Sequence, residues 1–352
     1  MKKKTAIAIS GGVDSLVAAH LLKEQGHDVT GIHFLTGYEQ KYIKGTPSFP
    51  HPVSLIGEQL GIKIHILDCT REFKNTVVKY FYNMYQNGQT PNPCMVCNPT
   101  IKFGTVLNHA YKLGASCLAT GHYAKILKDN NNNLHLLRGT DTDKDQSYFL
   151  AFLTQQQLSS AEFPLGNMTK SKVRKLAHKI GLKPITSNES QDICFISDKN
   201  YKDFLSDQLD VVEKPGLIED TNGRVIGNHT GLHKYTVGQR RGINCPSSKP
   251  YYVVKIDSKR NRLIVGGKDD LMCSEFKVCD INWIIEAPDN QISVKTRVRY
   301  RSSAYDTSVI PVDKKTALVK FKTPQSSVAP GQAAVFYKDN EVLGGGWILP
   351  NT

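Results

Sequence analysis

No run of about 18 apolar residues occurs anywhere in the 352-residue sequence, so a membrane-spanning helix is not expected. The basic start Met1-Lys2-Lys3-Lys4 is followed by only about five apolar residues before Ser10, too few for a secretory h-region. Acidic residues are outnumbered, 32 Asp and Glu against 45 Lys and Arg, for a formal net charge of +13. That imbalance points to a polyanionic partner, either nucleic acid or an acidic membrane surface. No glycine-rich loop ends in Gly-Lys-Ser/Thr, which excludes a Walker-type phosphate loop. There is one C-x-x-C, Cys94 to Cys97, flanked by Pro93 and Pro99 and so expected on a rigid loop, but no second one and no histidine pair at finger spacing. A closed structural zinc site is therefore disfavoured. The reading is a cytoplasmic protein whose eight cysteines are packing, metal or catalytic groups rather than a disulfide frame.

What is present begins with Ser10-Gly11-Gly12-Val13-Asp14-Ser15, directly behind the apolar run Thr5-Ala6-Ile7-Ala8-Ile9. A short strand feeds a turn with paired glycines, and an amphipathic helix follows through Leu16, Val17, Leu21 and Leu22. Backbone N–H groups and a helix N-terminus can close around a phosphate in such a turn. Gly11 and Gly12 remove the Cβ atoms that would block the approach, and Ser10 and Ser15 add hydroxyl donors. Asp14 would repel a bare phosphate, which suggests a Mg²⁺ ion between carboxylate and nucleotide. The plainer alternative is an ordinary strand-to-helix turn.

Residues 5–125 alternate strand and helix. Strands are expected at Ala6–Ile9, Val29–Phe34, Ile62–Leu67 and Cys117–Ala119, with helices around Val13–Gln25, Val53–Leu60, Val77–Tyr85 and Thr105–Leu113. This is an α/β pattern with a parallel sheet, and it places a nucleotide at the carboxyl ends of the strands. Residues 37–52 read as a loop near that site, and 140–205 as mostly helical, including Lys172–Ile180. Asn130–Asn133 reads as a hairpin tip. After Lys214-Pro215-Gly216 the texture becomes short β runs, then from about 270 a six-strand, barrel-like pattern with no internal repeat. The expected division is 1–205, 206–268 and 269–352. Lys295, Arg297, Arg299 and Arg301 alternate with other residues within the run Ile292–Tyr300 and just beyond it, so on a strand they would share one face. Like charges side by side favour an RNA phosphate track over a bare solvated face. Gln239-Arg240-Arg241 adds cationic surface in the middle part.

The turn Ser10–Ser15 resembles the signature of the PP-loop ATP pyrophosphatases. Asn92-Pro93-Cys94-Met95-Val96-Cys97-Asn98, Ile101-Lys102-Phe103, Thr120-Gly121-His122-Tyr123, Lys144–Leu150, Gln191–Ile196, Gly238–Gly242, Pro330-Gly331-Gln332 and Gly344–Gly346 resemble the bacterial tRNA-specific 2-thiouridylases, in family order. The resemblance implies a Rossmann-like catalytic domain with a helical insertion, a small central β domain and a C-terminal β-barrel that binds tRNA. It implies ATP and Mg²⁺ on Ala8, Ile9, Ser10, Gly11, Gly12, Val13, Asp14 and Ser15, on Phe34 and on Gly121. Asn92, Pro93 and Cys94 fall at positions for the target base, which must leave its stack to be modified. His122, Lys144, Asp145, Gln146, Arg299, Tyr300 and Gln332 fall at tRNA-contact positions.

The implied chemistry replaces the C2 oxygen of the wobble uridine by sulfur. By resemblance, Cys194 carries a persulfide and Cys97 is the nucleophile that releases its terminal sulfur, leaving a transient Cys97–Cys194 disulfide. A sulfur-donor protein, a cysteine desulfurase or a sulfur-relay protein, is implied as partner. At Cys94 the sequence departs from better-known relatives, which have Asp. That departure keeps a second route open, in which Cys94, Cys97 and Cys194 ligate a [4Fe–4S] cluster that presents sulfide. A different class of reading is a non-catalytic tRNA-binding protein with an iron–sulfur or metal-sensing site.

Overall fold

The computed structural model describes residues 2–39, 52–185, 193–196, 201–208, 213–326 and 328–350. The chain forms two compact units, 1–77 with 94–197 and 340–343, and 78–93 with 198–339 and 344–352.

The first unit is built on a parallel sheet. Its strands and helices begin β1 (Lys4–Ala8), α1 (Val13–Glu24), β2 (Asp28–Leu35), α2 (Pro52–Leu60) and β3 (Ile64–Asp68). Next comes α3 (Thr70–Phe73), while α4 (Lys79–Gln86) belongs to the second unit. The first unit then continues with α5 (Pro93–Cys97), a wide π-helical stretch Asn98–Val106 and α6 (Leu107–Lys112). After these come β4 (Cys117–Ala119), the hairpin β5 (Ala124–Lys128) and β6 (Leu134–Arg138), α7 (Gln155–Ser159), β7 (Ala161–Glu162) and α8 (Lys170–Lys179). The sheet order is β3-β2-β1-β4-β7, all parallel. The chain leaves β1 toward β2 on one side and returns to β4 on the other. The crevice at the carboxyl ends of β1 and β4 is thus the switch point where such sheets hold ligands.

Apolar side chains of α1, α2 and α8 cover the sheet. Leu16, Val17, Leu22, Ile56, Leu60 and Val173 pack with Ile7 and Ile9 in one core cluster. The period-3.6 spacing of Leu16, Ala19 and Leu22 puts α1's buried stripe over β1 and fixes the entry angle of the glycine turn. The expected strands and helices of residues 5–119 are present with ends shifted by at most two residues, but residues 40–51 of the expected loop lie outside the described residues.

Three expectations change. Among the described residues of 140–205, turns connect the short helices α7, α8 and α9 (Tyr201–Gln208), and β7 is a two-residue strand too short to leave any periodicity. Cys94 and Cys97 sit on helix α5, not on a loop. Pro93 is tolerated at the first helical position, where an N–H would have no partner, and Pro99 falls at the start of the wide-turn stretch. The third change concerns the barrel.

In the second unit a four-stranded sheet, β8 (Gly216–Asp220), β9 (Val225–His229), β10 (Tyr252–Asp257) and β11 (Arg262–Gly266), has the order β10-β11-β8-β9. Its core holds Ile218, Leu232, Val253, Leu263 and Val265. Six antiparallel strands follow: β12 (Cys273–Trp283), β13 (Ile292–Arg297), β14 (Tyr305–Pro311), β15 (Ala317–Gln325), β16 (Ala333–Lys338) and β17 (Glu341–Ile348). They run β12-β15-β14-β13-β16-β17, and β17 pairs back onto β12 to close a barrel. Closure removes both sheet edges.

Here the third correction arises. β13 ends at Arg297, so Arg299 and Arg301 lie in a turn and the four cations do not share a strand face. Arg297 donates to the carbonyls of Ser302 (3.2 Å) and Tyr300, and Lys295 pairs with Asp306 at 3.4 Å. The turn's own carbonyls and one carboxylate thus answer the repulsion that a phosphate track was inferred to relieve.

Candidate active site

The glycine turn is shaped by one backbone angle. Gly11 has φ +87°, a left-handed conformation that residues with a Cβ rarely adopt. Gly12 is the N-cap of α1 and supplies no side-chain cap, so the first N–H groups of the helix face outward. Ser15 Oγ donates to Gly12 O (2.9 Å) and lies 3.4 Å from Ser10 Oγ, which holds both hydroxyls at the turn. A Cβ at Gly121 would sit 3.0 Å from the Asp14 carbonyl carbon and 3.1 Å from Ser15 N. Any side chain there would press the segment after β4 against the start of α1, which glycine avoids. Phe34 is partly buried near the end of β2, paired with Leu67 of β3.

Asp14 is not free to await a metal ion. Lys170 Nζ stands 2.6 Å from its Oδ2, and Tyr123 OH donates to its Oδ1 at 2.7 Å. Lys170 is itself placed by its backbone N–H, which donates to Asp141 Oδ2 at 2.8 Å, at the start of α8. The counter-charge inferred from Asp14 is therefore Lys170. Outward N–H groups, two hydroxyls and a buried lysine are the donor set a triphosphate needs, so these residues fit ATP. A Mg²⁺ ion carried by the phosphates would share the Asp14 carboxylate with Lys170.

The thiols lie in the same unit. Cys94 and Cys97, three residues apart on α5, share a helix face. Cys194 is solvent-accessible but closely surrounded, and its neighbour Phe195 is buried. The Phe195 ring packs on Phe73 at 5.6 Å and on Tyr38 at 5.8 Å. Burying one such ring is worth about 1.5–3 kcal/mol, enough to pin the short stretch that carries Cys194. Gln191 and Asp192 of the same motif lie outside the described residues.

Burial dominates the acidity of all three thiols. It pushes Cys97 up to about 12 and Cys194 up to about 11, and it raises Cys94. Cys94 and Cys194 each raise Cys97 further, Cys94 raises Cys194, and Lys102 opposes the shift at every one. The three sulfurs thus feel one another and share one cation. At rest they are neutral thiols, poor nucleophiles until a thiolate forms.

Lys102 also connects the thiols to the crevice. Its Nζ lies 3.4 Å from His122 Nε2, and His122 Nδ1 lies 2.7 Å from Thr120 Oγ1. Burial, then Lys102, drives the His122 pKa well below the usual value, so the ring is neutral. A lysine can only donate, so Nε2 accepts and Nδ1 carries the proton toward Thr120. Replacing Lys102 by Met is expected to move the alkylation profile of Cys97 and Cys194 by iodoacetamide to higher pH, with Lys102→Arg restoring it. An unchanged profile would remove the lysine's electrostatic role.

The structure sends several proposed RNA-reading residues elsewhere. The Asp145 side chain is fully buried, pairs with Arg138 Nε at 3.0 Å and accepts from Gly139 N and Ser147 N. Gln146 Oε1 accepts from Tyr123 N. Gln332 is buried and donates to the Thr90 and Pro91 carbonyls, both at 3.1 Å. It therefore positions the loop leading to Asn92, whose N–H donates to Tyr80 OH. Asp145, Gln146 and Gln332 each hold up the local fold in this structure. Lys144 and Tyr300 are partly exposed and Arg299 is exposed.

A family profile described as a tRNA methyl transferase HUP domain matches residues 3–198. Profiles of the PRC-barrel and aminomethyltransferase β-barrel domains match 202–267 and 273–348. A tRNA-specific 2-thiouridylase MnmA of Desulfosudis oleivorans is 49% identical over 343 residues, 97% of this chain and 94% of that one. The chain belongs to the tRNA-specific 2-thiouridylase family. A relative of the same name from Geobacter metallireducens is 42% identical over 356 residues, covering 99% of this chain and 97% of that one. The U34-tRNA thiolase NcsA of Methanococcus maripaludis, solved with its [4Fe–4S] cluster, superposes with a TM-score of 0.36 at 22% identity. It covers 55% of this chain and 63% of that one, a likeness too loose to inform the chemistry here.

Membership in the 2-thiouridylase family leaves the cluster question to the residues themselves. Among the described residues no three His, Cys, Asp or Glu side chains stand so as to hold a metal ion. As they stand, Cys94, Cys97 and Cys194 are not arranged as cluster ligands. Lys102, Tyr123 and Lys170 were missed as site residues. Lys102 and Tyr123 lie inside the motif stretches, but nothing local separates Lys170 from the chain's other lysines. Among the described residues no helix is long and apolar enough to cross a membrane.

Proposed function

We propose that this chain is an enzyme that replaces the C2 oxygen of a tRNA wobble uridine by sulfur, using ATP. The observation that carries the reading is the joining of two kinds of equipment in one unit. A phosphate-binding turn with Asp14 and Lys170 lies at one end of the chain Thr120–His122–Lys102, and three coupled thiols lie at the other. The matching profile's description speaks of methyl transfer. An adenylating turn beside thiols suits exchange of an oxygen for sulfur, not addition of a methyl group.

ATP, when bound, supplies the adenylyl group that makes the C2 oxygen a leaving group as AMP, with pyrophosphate released. Lys170 and the N–H groups of α1 hold the phosphates, and Asp14 orients Lys170. Asn92, Pro93 and Cys94 border the extruded uracil. Cys194 receives a persulfide from a sulfur-donor protein. The Cys97 thiolate attacks Cys194 Sγ, forming the Cys97–Cys194 disulfide and breaking the persulfide S–S bond. Hydrosulfide leaves and attacks C2. An external dithiol then returns two electrons to reopen the disulfide. Neutral thiols suit this order, because sulfur is released only once the Cys97 thiolate forms. The division at residues 205 and 268 belongs to the same proposal, with the second and third parts holding the tRNA.

The test is pyrophosphate release from ATP that requires tRNA, together with 2-thiouridine in the digested tRNA product. Pyrophosphate release without dependence on tRNA would overturn the substrate. No release at all would leave a binding protein.

A further inference from the structure

The loop between the turn at Leu232–Lys234 and strand β10 has no part in the chemistry above. Gln239 clamps it. Its N–H donates to Thr236 O (3.0 Å) and its carbonyl accepts from Val253 N (2.9 Å). Its side chain accepts from Thr236 N (3.2 Å) and donates to Arg241 O (2.9 Å). Gly238 and Gly242, at φ +88° and +80°, make the bends on either side. The clamp leaves Arg240 and Arg241 exposed, and among the described residues neither is paired with a carboxylate.

Arg240 borders an open cleft of about 410 Å³ that is also lined by Asn244, Ser247, Ser248, Lys249 and Tyr251. None of its lining residues is acidic. Two cations, two hydroxyls and a partly exposed ring, with no carboxylate, form a site for an anion attached to something flat. Phosphate takes charge-assisted bonds from Arg240 and Lys249, and a neighbouring base can lie on Tyr251. The volume falls within the ~300–1,000 Å³ range of ligand sites, room for about one nucleotide unit.

We infer that this cleft holds a backbone phosphate of the substrate tRNA. The inference rests on the reading of the chain as a tRNA-modifying enzyme. It assigns the anchoring of the tRNA body in part to the four-stranded sheet of the second unit. The pre-formed clamp means the loop loses little freedom on binding, so the contact contributes its full charge.

The experiment measures tRNA binding by the full chain across a salt series, for the wild type and for Arg240→Ala/Lys249→Ala. A control, Lys112→Ala/Lys128→Ala, removes the same charge from exposed positions of the first unit. The cleft variant is expected to flatten the slope of log K against log salt by about 1 to 2 and to weaken binding roughly tenfold near physiological salt. The control is expected to change the slope by less than half as much. An unchanged slope in the cleft variant, with the wild type binding tRNA normally, overturns the inference and leaves the function standing. Equal losses in both variants reduce the effect to net charge and overturn it as well. A wild type that binds no tRNA brings down the functional reading itself, a result distinct from either.

Discussion

Cys97→Ser and Cys194→Ser are each expected to lower 2-thiouridine formation by on the order of 10³-fold or more, the scale set by removing a nucleophile. The tRNA-dependent release of pyrophosphate is expected to stay within a few-fold of wild type in both. The reason is spatial as well as chemical. Buried Cys97 and accessible Cys194 both feel Lys102, which lies against His122, and His122 against Thr120. Serine keeps the volume, so the packing of α5 and of the Phe195 anchor survives. Mass spectrometry of the protein adds a second readout. Cys97→Ser is expected to retain a persulfide on Cys194 after incubation with a sulfur donor, and Cys194→Ser to retain none on Cys97. Wild-type thiolation by either variant would remove the sulfur-transfer assignment.

Lys170→Met is expected to fail at the other half of the reaction. It strips Asp14 of its cation and the phosphates of theirs, so pyrophosphate release should fall by on the order of 10²-fold. The Lys170 side chain is 10% exposed and that of Asp14 32%. Removing one partner of a fully buried pair costs about 3–5 kcal/mol, and the exposure of Asp14 reduces this to on the order of 1–2 kcal/mol. A lowered melting temperature should therefore accompany the lost activity. Adding Asp14→Asn to Lys170→Met should recover part of the melting temperature without recovering activity, because it removes the unpaired charge but restores no phosphate contact. Full activity in Lys170→Met would mean that the lysine serves only the fold.

How much of this was legible beforehand follows from the range of each interaction. The strand-to-helix turn at Ser10–Ser15 could be read because it depends on neighbours within one turn of helix, and Gly11's positive φ is the local signal made visible. The barrel could be read because alternation along β12, β13 and β15 is a property of each strand alone. The helix at Pro93–Cys97 was misjudged because Pro93 and Pro99 suggest a rigid loop, whereas Pro93 occupies a helix start and Pro99 opens a wide-turn stretch. The cation face at residues 295–301 was misjudged because alternation cannot reveal where a strand stops, and this one stops at Arg297.

The sequence by itself determined the glycine turn, the alternation of strands and helices and the barrel pattern, and it singled out the three cysteines of the proposed sulfur transfer. Only the tertiary structure decided that Lys170, 156 residues away, neutralises Asp14, and that Gln332, 242 residues from Thr90, shapes the loop before the target-base residues. It alone decided that one lysine serves three thiols. Local pattern encodes backbone conformation, which responds to near neighbours. The partner of a buried charge is chosen by sheet order and by which side chain reaches the cavity first, and neither leaves a mark along the chain.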